Sequence, residues 1–230
     1  MKKSQVIFGA ISLLTLSAAN ANTLVLDSYN YAPALELEVT STSPSDTDTV
    51  TSVESGATAD YTLNYTLAAQ GDASTDANKA GVSAGILSYE ESASGDAELD
   101  IKYSFAGGAT LDVSGYSAFY FDVKTLDAVG GFQVVLTLED VDGTTISGTY
   151  DISTTGVYLA NIGGMSAGAA GTTAGFDLSQ VAVADTFISS ALGIGNDFQI
   201  DEVGLVPEPS ALAVLGLGLI GLGLRRRKLA

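Results

Sequence analysis

Tyr61-Thr62-Leu63-Asn64-Tyr65-Thr66-Leu67 alternates strictly, with apolar or aromatic residues at the odd positions and polar ones at the even positions. Successive side chains of an extended chain point to opposite faces. A period of two therefore predicts a half-buried β-strand with Tyr61, Leu63, Tyr65 and Leu67 turned inward. The pattern returns in residues 97–105, where Leu99, Ile101, Tyr103 and Phe105 share one face and Asp100, Lys102 and Ser104 the other. It continues in Phe119-Tyr120-Phe121-Asp122-Val123-Lys124 and in residues 132–139. Weaker strand candidates are residues 23–27, 35–40, 85–89, 145–150, 157–162 and 198–206.

Turn residues punctuate these runs: Gly107-Gly108, Gly130-Gly131, Asp142-Gly143, Gly163-Gly164 and Asn196-Asp197. Gly, Asn and Asp tolerate the left-handed backbone that tight turns need. Helical periodicity is absent from the long windows of this region, apart from a turn or two near residues 178–188. Many short strands with regular punctuation predict an all-β fold, an antiparallel two-sheet β-sandwich. Residues 41–59, rich in Ser, Thr and Asp, and residues 165–175, rich in Gly and Ala, are expected to be loops.

The two ends differ from this middle. Lys2 and Lys3 precede an apolar run over residues 6–16, followed by Ala19-Asn20-Ala21. That is the order of charge, apolar core and small-residue cleavage site in a secretory signal peptide, read here as residues 1–21 with Ala19 and Ala21 at the cleavage site. The alternative is a buried first helix. At the other end, Val206-Pro207-Glu208-Pro209 is followed by an uncharged apolar segment, residues 211–224, and then by Arg225, Arg226, Arg227 and Lys228.

Fourteen helical residues span about 21 Å at the standard rise, short of the roughly 30 Å hydrocarbon core of a bilayer. The cation block resists burial and holds the cytoplasmic side, so the segment reads as a marginal single transmembrane helix with the preceding domain outside. Gly216, Gly218, Gly221 and Gly223 weaken it further and leave a thin side for helix contact. Pro207 and Pro209 each remove a backbone donor, so the Val206–Pro209 stretch is expected to be stiff and exposed just outside the membrane.

Residues 22–205 then form one domain, long enough for a sizeable core. Its cations are Lys79, Lys102 and Lys124 against 26 acidic residues, a formal charge of -23. Such a surface repels phosphate backbones, and nucleic acid is not an expected partner. The chain has no Cys, His or Trp. Within it this excludes disulfides, Ser-His-Asp and Cys-His nucleophilic sites, histidine-bound transition metals and thiolate-ligated clusters.

Two resemblances follow. Leu111-Asp112-Val113-Ser114-Gly115-Tyr116, the segment Phe176-Asp177-Leu178-Ser179-Gln180-Val181 and the closing Ile200-Asp201-Glu202-Val203 resemble the galactose-binding-like jelly rolls of many carbohydrate-binding modules. That resemblance implies a jelly-roll sandwich whose first strand, Leu24-Val25-Leu26-Asp27, pairs with its last. Pro-Glu-Pro, a short apolar helix and an arginine cluster, in that order over residues 206–230 and with a signal peptide at the start, resemble the PEP-CTERM sorting signal. The resemblance implies export in a Gram-negative bacterium that makes exopolysaccharide. It also implies transient anchoring in the inner membrane and processing by an exosortase-type enzyme that supplies its own catalytic cysteine. The Gram-positive LPxTG signal has the same three-part logic, but no such pentapeptide stands here. A tail-anchored ectodomain that is never cleaved is the alternative.

Candidate chemistry in the domain is sparse. Glu90-Glu91 and Asp140-Val141-Asp142 offer carboxylates for a polysaccharide-active hydrolase, which needs two about 5 to 10 Å apart across a cleft; the competing reading is a solvated acidic surface. Asp140, Asp142 and Gly143 resemble half a calcium loop but also an Asp-Gly hairpin turn. Pairing of the first and last strands would bring Asp27 towards Asp201, a candidate structural calcium pair. Tyr116, Tyr120 and Tyr158 are candidate stacking platforms for sugars, against the alternative that they fill the core or its rim. The expected function is that of a non-catalytic exported protein of the cell surface or extracellular matrix, associated with polysaccharide in a biofilm. The other readings are a carboxylate-pair hydrolase and a structural adhesin without a specific ligand.

Overall fold

A computed structural model describes residues 23–30, 34–40, 45–52, 61–70, 77–92, 96–105, 108–127, 131–167, 175–190 and 197–208. The expected signal helix and the apolar helix at 211–224 lie outside these residues. No helix among the described residues is long and apolar enough to cross a membrane.

The described chain forms fourteen strands and one 3-10 turn, Ile162–Gly164. In chain order the strands are β1 Leu24–Asp27, β2 Leu35–Val39, β3 Ser45–Ser52, β4 Tyr61–Gln70, β5 Asn78–Ser83, β6 Ile86–Glu90 and β7 Asp96–Phe105. They continue with β8 Tyr116–Asp127, β9 Phe132–Asp140, β10 Thr145–Ile152, β11 Gly156–Asn161, β12 Ser166–Ala167, β13 Val181–Ser190 and β14 Asp197–Pro207. One sheet runs β11-β8-β14-β6-β5-β2, with β1 also on β14; the other runs β12-β10-β9-β13-β7-β4-β3. Every pairing is antiparallel, and the chain passes repeatedly from one sheet to the other. The fold is the antiparallel two-sheet sandwich expected from the alternation, and its first strand pairs with its last, as the jelly-roll resemblance implies.

The alternation places the core as read. Tyr61, Leu63, Tyr65 and Leu67 of β4 are all fully buried, as are Leu99, Ile101 and Tyr103 of β7. Phe119, Phe121 and Val123 of β8 turn inward from the other sheet. The sheets meet through aromatic stacks: Phe198 of β14 lies between Tyr89 of β6 (centroids 4.9 Å apart) and Phe132 of β9 (4.3 Å). Each ring withdrawn from water contributes about 1.5 to 3 kcal/mol, so this stack is one of the principal ties between layers.

Three segments depart from expectation. Within residues 41–59, read as a loop, β3 pairs with β4 from Ser45↔Ala68 to Ser52↔Tyr61. It has no alternating apolar face because it is the edge of the sheet. Its backbone satisfies β4 and its polar side chains meet solvent, while Asp46 and Asp48 discourage a further strand from adding. The helical turn expected near residues 178–188 is instead β13, held between β9 and β7. Two flanking strands with unpaired edges decide that segment whatever its local preference. Residues 166 and 167, inside the second expected loop, form β12 on the edge of β10. β5 carried no signal, having Ala80 and Val82 as its only apolar residues. It is defined by a two-residue hairpin at Ala84-Gly85, both with positive φ (53° and 81°), where Asn-Gly would have been the legible choice.

Candidate functional site

β14 organises the molecule. From Asp197 to Pro207 it pairs with β8 along one edge, and along the other it pairs first with β6 and then with β1. Gly204 faces Tyr120 across the β8 ladder and Val25 across the β1 ladder. A Cβ at Gly204 would stand 2.4 Å from the Leu24 carbonyl oxygen and 2.6 Å from a Tyr120 ring carbon. Only glycine lets the ring lie across the strand. Gly204→Val should therefore cost about 1 to 3 kcal/mol, read as a lower urea midpoint at unchanged slope; an unchanged midpoint would contradict this packing.

At its end β14 becomes the sorting stretch. Val206 pairs with Ala118, and its carbonyl accepts a hydrogen bond from Ser117 Oγ at 3.2 Å. A register shift follows, and Pro207 lies opposite Tyr116. The irregularity accommodates a residue with no N–H to donate to the ladder. The Glu208 amide then donates to the Gly115 carbonyl at 2.9 Å. The expected exposed spacer is thus corrected at two of its residues: Val206 and Pro207 are half-buried strand residues, whereas the Glu208 side chain is exposed. The β8 edge and the Gly115 carbonyl capture the segment, and this outweighs the stiffness of its prolines. Pro209, the cleavage residues Ala19 and Ala21, and Arg225, Arg226, Arg227 and Lys228 lie outside the described residues.

Beside Glu208 opens a cleft of about 490 Å³, with Tyr116, Ile162, Met165, Phe176 and Leu178 supplying apolar walls and Ser117, Asn161 and Glu208 a polar rim. Tyr116 is the one of the three candidate platforms that lines it. Tyr120 is buried under other contacts, its hydroxyl donating to Glu202 Oε1. Burial, then the Glu202 carboxylate, pushes that hydroxyl's pKa well above its ordinary value. Tyr158 serves the β10–β11 turn: its hydroxyl donates to the Thr154 carbonyl at 2.6 Å and accepts from the Thr154 amide at 2.8 Å. Sequence reasoning did not find Met165 and Phe176, because both fall in or beside a stretch read only as a Gly/Ala-rich loop.

The candidate carboxylates separate. Asp27 is fully buried and accepts from the Tyr29 amide (2.7 Å) and the Tyr103 hydroxyl (3.2 Å). Asp201 is partly exposed and pairs with Lys124 at 2.9 Å, as does Asp122 at 2.8 Å. These two carboxylates, Asp122 first, hold the Lys124 ammonium well above the usual lysine range. Asp27 thus faces the core, whereas Asp201 faces an exposed lysine. Among the described residues no three acidic side chains cluster to hold a metal.

Asp140 is buried and holds the β9–β10 turn, accepting from the Asp142 (3.0 Å), Thr144 (2.9 Å) and Asp177 (3.1 Å) amides. Gly143, at φ 79°, completes that turn. Glu91 is buried and accepts from the Ala97 amide at 3.2 Å, whereas Glu90 is exposed. A different pair emerges on the outer face of the second sheet. Asp185 of β13 lies against Asp100 of β7, and burial followed by that neighbour raises the Asp185 carboxyl to about 7. Asp100 Oδ1 and Asp185 Oδ1 are both buried without a hydrogen-bond partner.

Residues 205–228 match the PEP-CTERM protein-sorting motif. The chain carries that sorting signal, which overlaps the last strand of the sandwich. No curated protein matches the chain. Among solved structures it is similar to PfGH50B, with 12% identity over 63% of this chain and a TM-score of 0.42, spanning only 22% of that chain. An exo-β-agarase gives 11% identity over 82% of this chain and 25% of that one, with a TM-score of 0.42. The family 11 carbohydrate-binding module of a cellulosomal cellulase from Clostridium thermocellum gives 12% identity over 81% of this chain and 95% of that one, with a TM-score of 0.41.

Proposed function

We propose that this is an exported, non-catalytic protein of the cell surface or extracellular matrix. A signal peptide takes it across the inner membrane, the C-terminal signal holds it there until an exosortase-type enzyme acts, and the sandwich then associates with exopolysaccharide in a biofilm. The observation that carries the reading is the continuity of the sorting motif, residues 205–228, with the final strand of an acidic β-sandwich.

The carboxylates support a binding rather than a hydrolytic role. Asp140 and Glu91 are spent on backbone amides, and Asp100 and Asp185 are neighbours on one sheet face rather than across a cleft. A glycosidase pair stands about 5 to 10 Å apart. The strongly negative surface would repel an anionic polymer, so such a polymer would need bridging divalent cations, whereas a neutral one would not.

Affinity electrophoresis against neutral and acidic polysaccharides, with and without calcium, tests the proposal. Tyr116→Ala should weaken retention by a neutral polysaccharide about tenfold, as expected when an aromatic anchor is lost from a pocket, with an unchanged circular dichroism spectrum. A flat response to every polymer would leave a structural adhesin without a ligand. Release of reducing ends would establish the hydrolase reading instead.

A further inference from the structure

We infer that the sorting enzyme cuts this chain on the carboxyl side of Glu208, so that β14, including Val206 and Pro207, stays whole in the released domain. The inference rests on the processing reading above and specifies where the processed end must lie.

A peptidase or transpeptidase binds its substrate as an extended segment whose backbone groups are free to pair with the enzyme. Upstream of the motif that condition fails. Gly204 and Leu205 are flanked on both edges, by β8 and by β1. Leu205 is fully buried and Val203 nearly so. Val206 still pairs with Ala118 and accepts from Ser117 Oγ, Pro207 is opposite Tyr116, and the Glu208 amide is bound to Gly115. Cutting the 206–207 or 207–208 bond would require this end to peel off β8, directly beside the buried Leu205. Among the described residues Glu208 is the first of the motif whose side chain is exposed, and its amide, just after β14, is still bound to the Gly115 carbonyl.

The chemistry balances simply. The amide C–N bond at or beyond the Glu208 carbonyl breaks, the acyl carbon passes to water or to an amine acceptor, and the departing tail keeps the nitrogen and gains a proton. Only Pro209 and Ser210 separate Glu208 from the apolar segment. Three Cα–Cα steps from Glu208 to residue 211 reach at most about 11 Å, so a membrane-seated segment would hold this end of the sandwich close to the bilayer before the cut.

The test is C-terminal peptide mapping and intact mass of the full-length protein isolated from cells with and without the sorting enzyme. A C-terminus at residue 208 or later, formed only in the strain with the enzyme, is the expected result. A C-terminus at residue 207 or earlier, on protein with the native circular dichroism spectrum, would overturn the inference while leaving processing intact. A chain ending at Ala230 in both strains would overturn the processing reading and this inference together.

Discussion

Asp27→Leu is expected to destabilise the sandwich by about 3 to 5 kcal/mol, the range seen when one member of a buried polar set is removed and its partners are left behind. Asp27 stands on β1 in the first sheet, while Tyr65 and Tyr103, whose hydroxyls face its Oδ2 at 3.5 Å and 3.2 Å, stand on β4 and β7 in the second. Its Oδ1 takes the amide of Tyr29, a residue held at a φ of 51°, in the left-handed region. Alongside, the Tyr61 hydroxyl of β4 donates to the Leu26 carbonyl of β1. The carboxylate is thus a bolt between layers at the point where the chain begins. Burial, and then the charge of Asp27, pushes the Tyr29 hydroxyl well above the ordinary tyrosine range, so the ring stays neutral there. Leucine would fill the volume but leave two hydroxyls and an amide without their acceptor. At roughly 2 to 4 °C per kcal/mol for a domain of this size, the melting temperature should fall by about 10 °C. Tyr103→Phe, which removes one donor, should cost only about 1 kcal/mol. Equal stability of Asp27→Leu and wild type would show that the carboxylate is not a tie between the sheets.

The second large effect is on pH dependence. The Asp185 carboxyl is raised to about 7 from its ordinary 3.8 by burial and by Asp100, with Glu139 adding repulsion and Lys102 opposing it. In the register Asp185 faces Lys102 of β7 and Thr137 of β9. A carboxyl with a raised folded-state pKa binds its proton more tightly when folded. Its contribution to stability is full below about pH 4 and is lost as the pH rises through about 7. Because the group is partly exposed, screening reduces the effect to about 1 to 2 kcal/mol. Between pH 5 and pH 8 the melting temperature should therefore drop by about 4 °C, and Asp185→Asn should abolish most of that drop by offering Asp100 a permanent donor. The general repulsion of an acidic surface acts in the same direction, so the quantity to measure is the difference between wild type and variant. Parallel pH profiles for the two proteins would show that Asp185 does not carry this pH dependence.

What was legible from the chain alone follows from locality. Strands β4, β7, β8 and β9 announce themselves because each has one wet and one dry face, and a period of two records that directly. The tail announces itself because a charge-free segment bounded by prolines and cations has few other uses. β3 and β13 were not legible, since an edge strand needs no apolar face and a central strand is imposed by its neighbours' unpaired amides and carbonyls. Of the three candidate tyrosines, only the fold shows that Tyr116 lines a cleft. Tyr120 and Tyr158 could not be told from it, because only the fold shows one ring pressed on Gly204 and the other closing a turn.

The amino-acid sequence by itself determined the fold class, the strongly negative charge of the domain and the C-terminal sorting motif, because periodicity, composition and residue order survive without any contact between distant residues. Only the tertiary structure decided that Asp27 binds hydroxyls from the opposite sheet, that Asp100 and Asp185 lie together, and that Val206 and Pro207 belong to the sandwich rather than to a free spacer. Each of those depends on which strands lie side by side, and cross-strand partners more than 75 residues apart, such as Asp27 and Tyr103, leave no mark on local sequence.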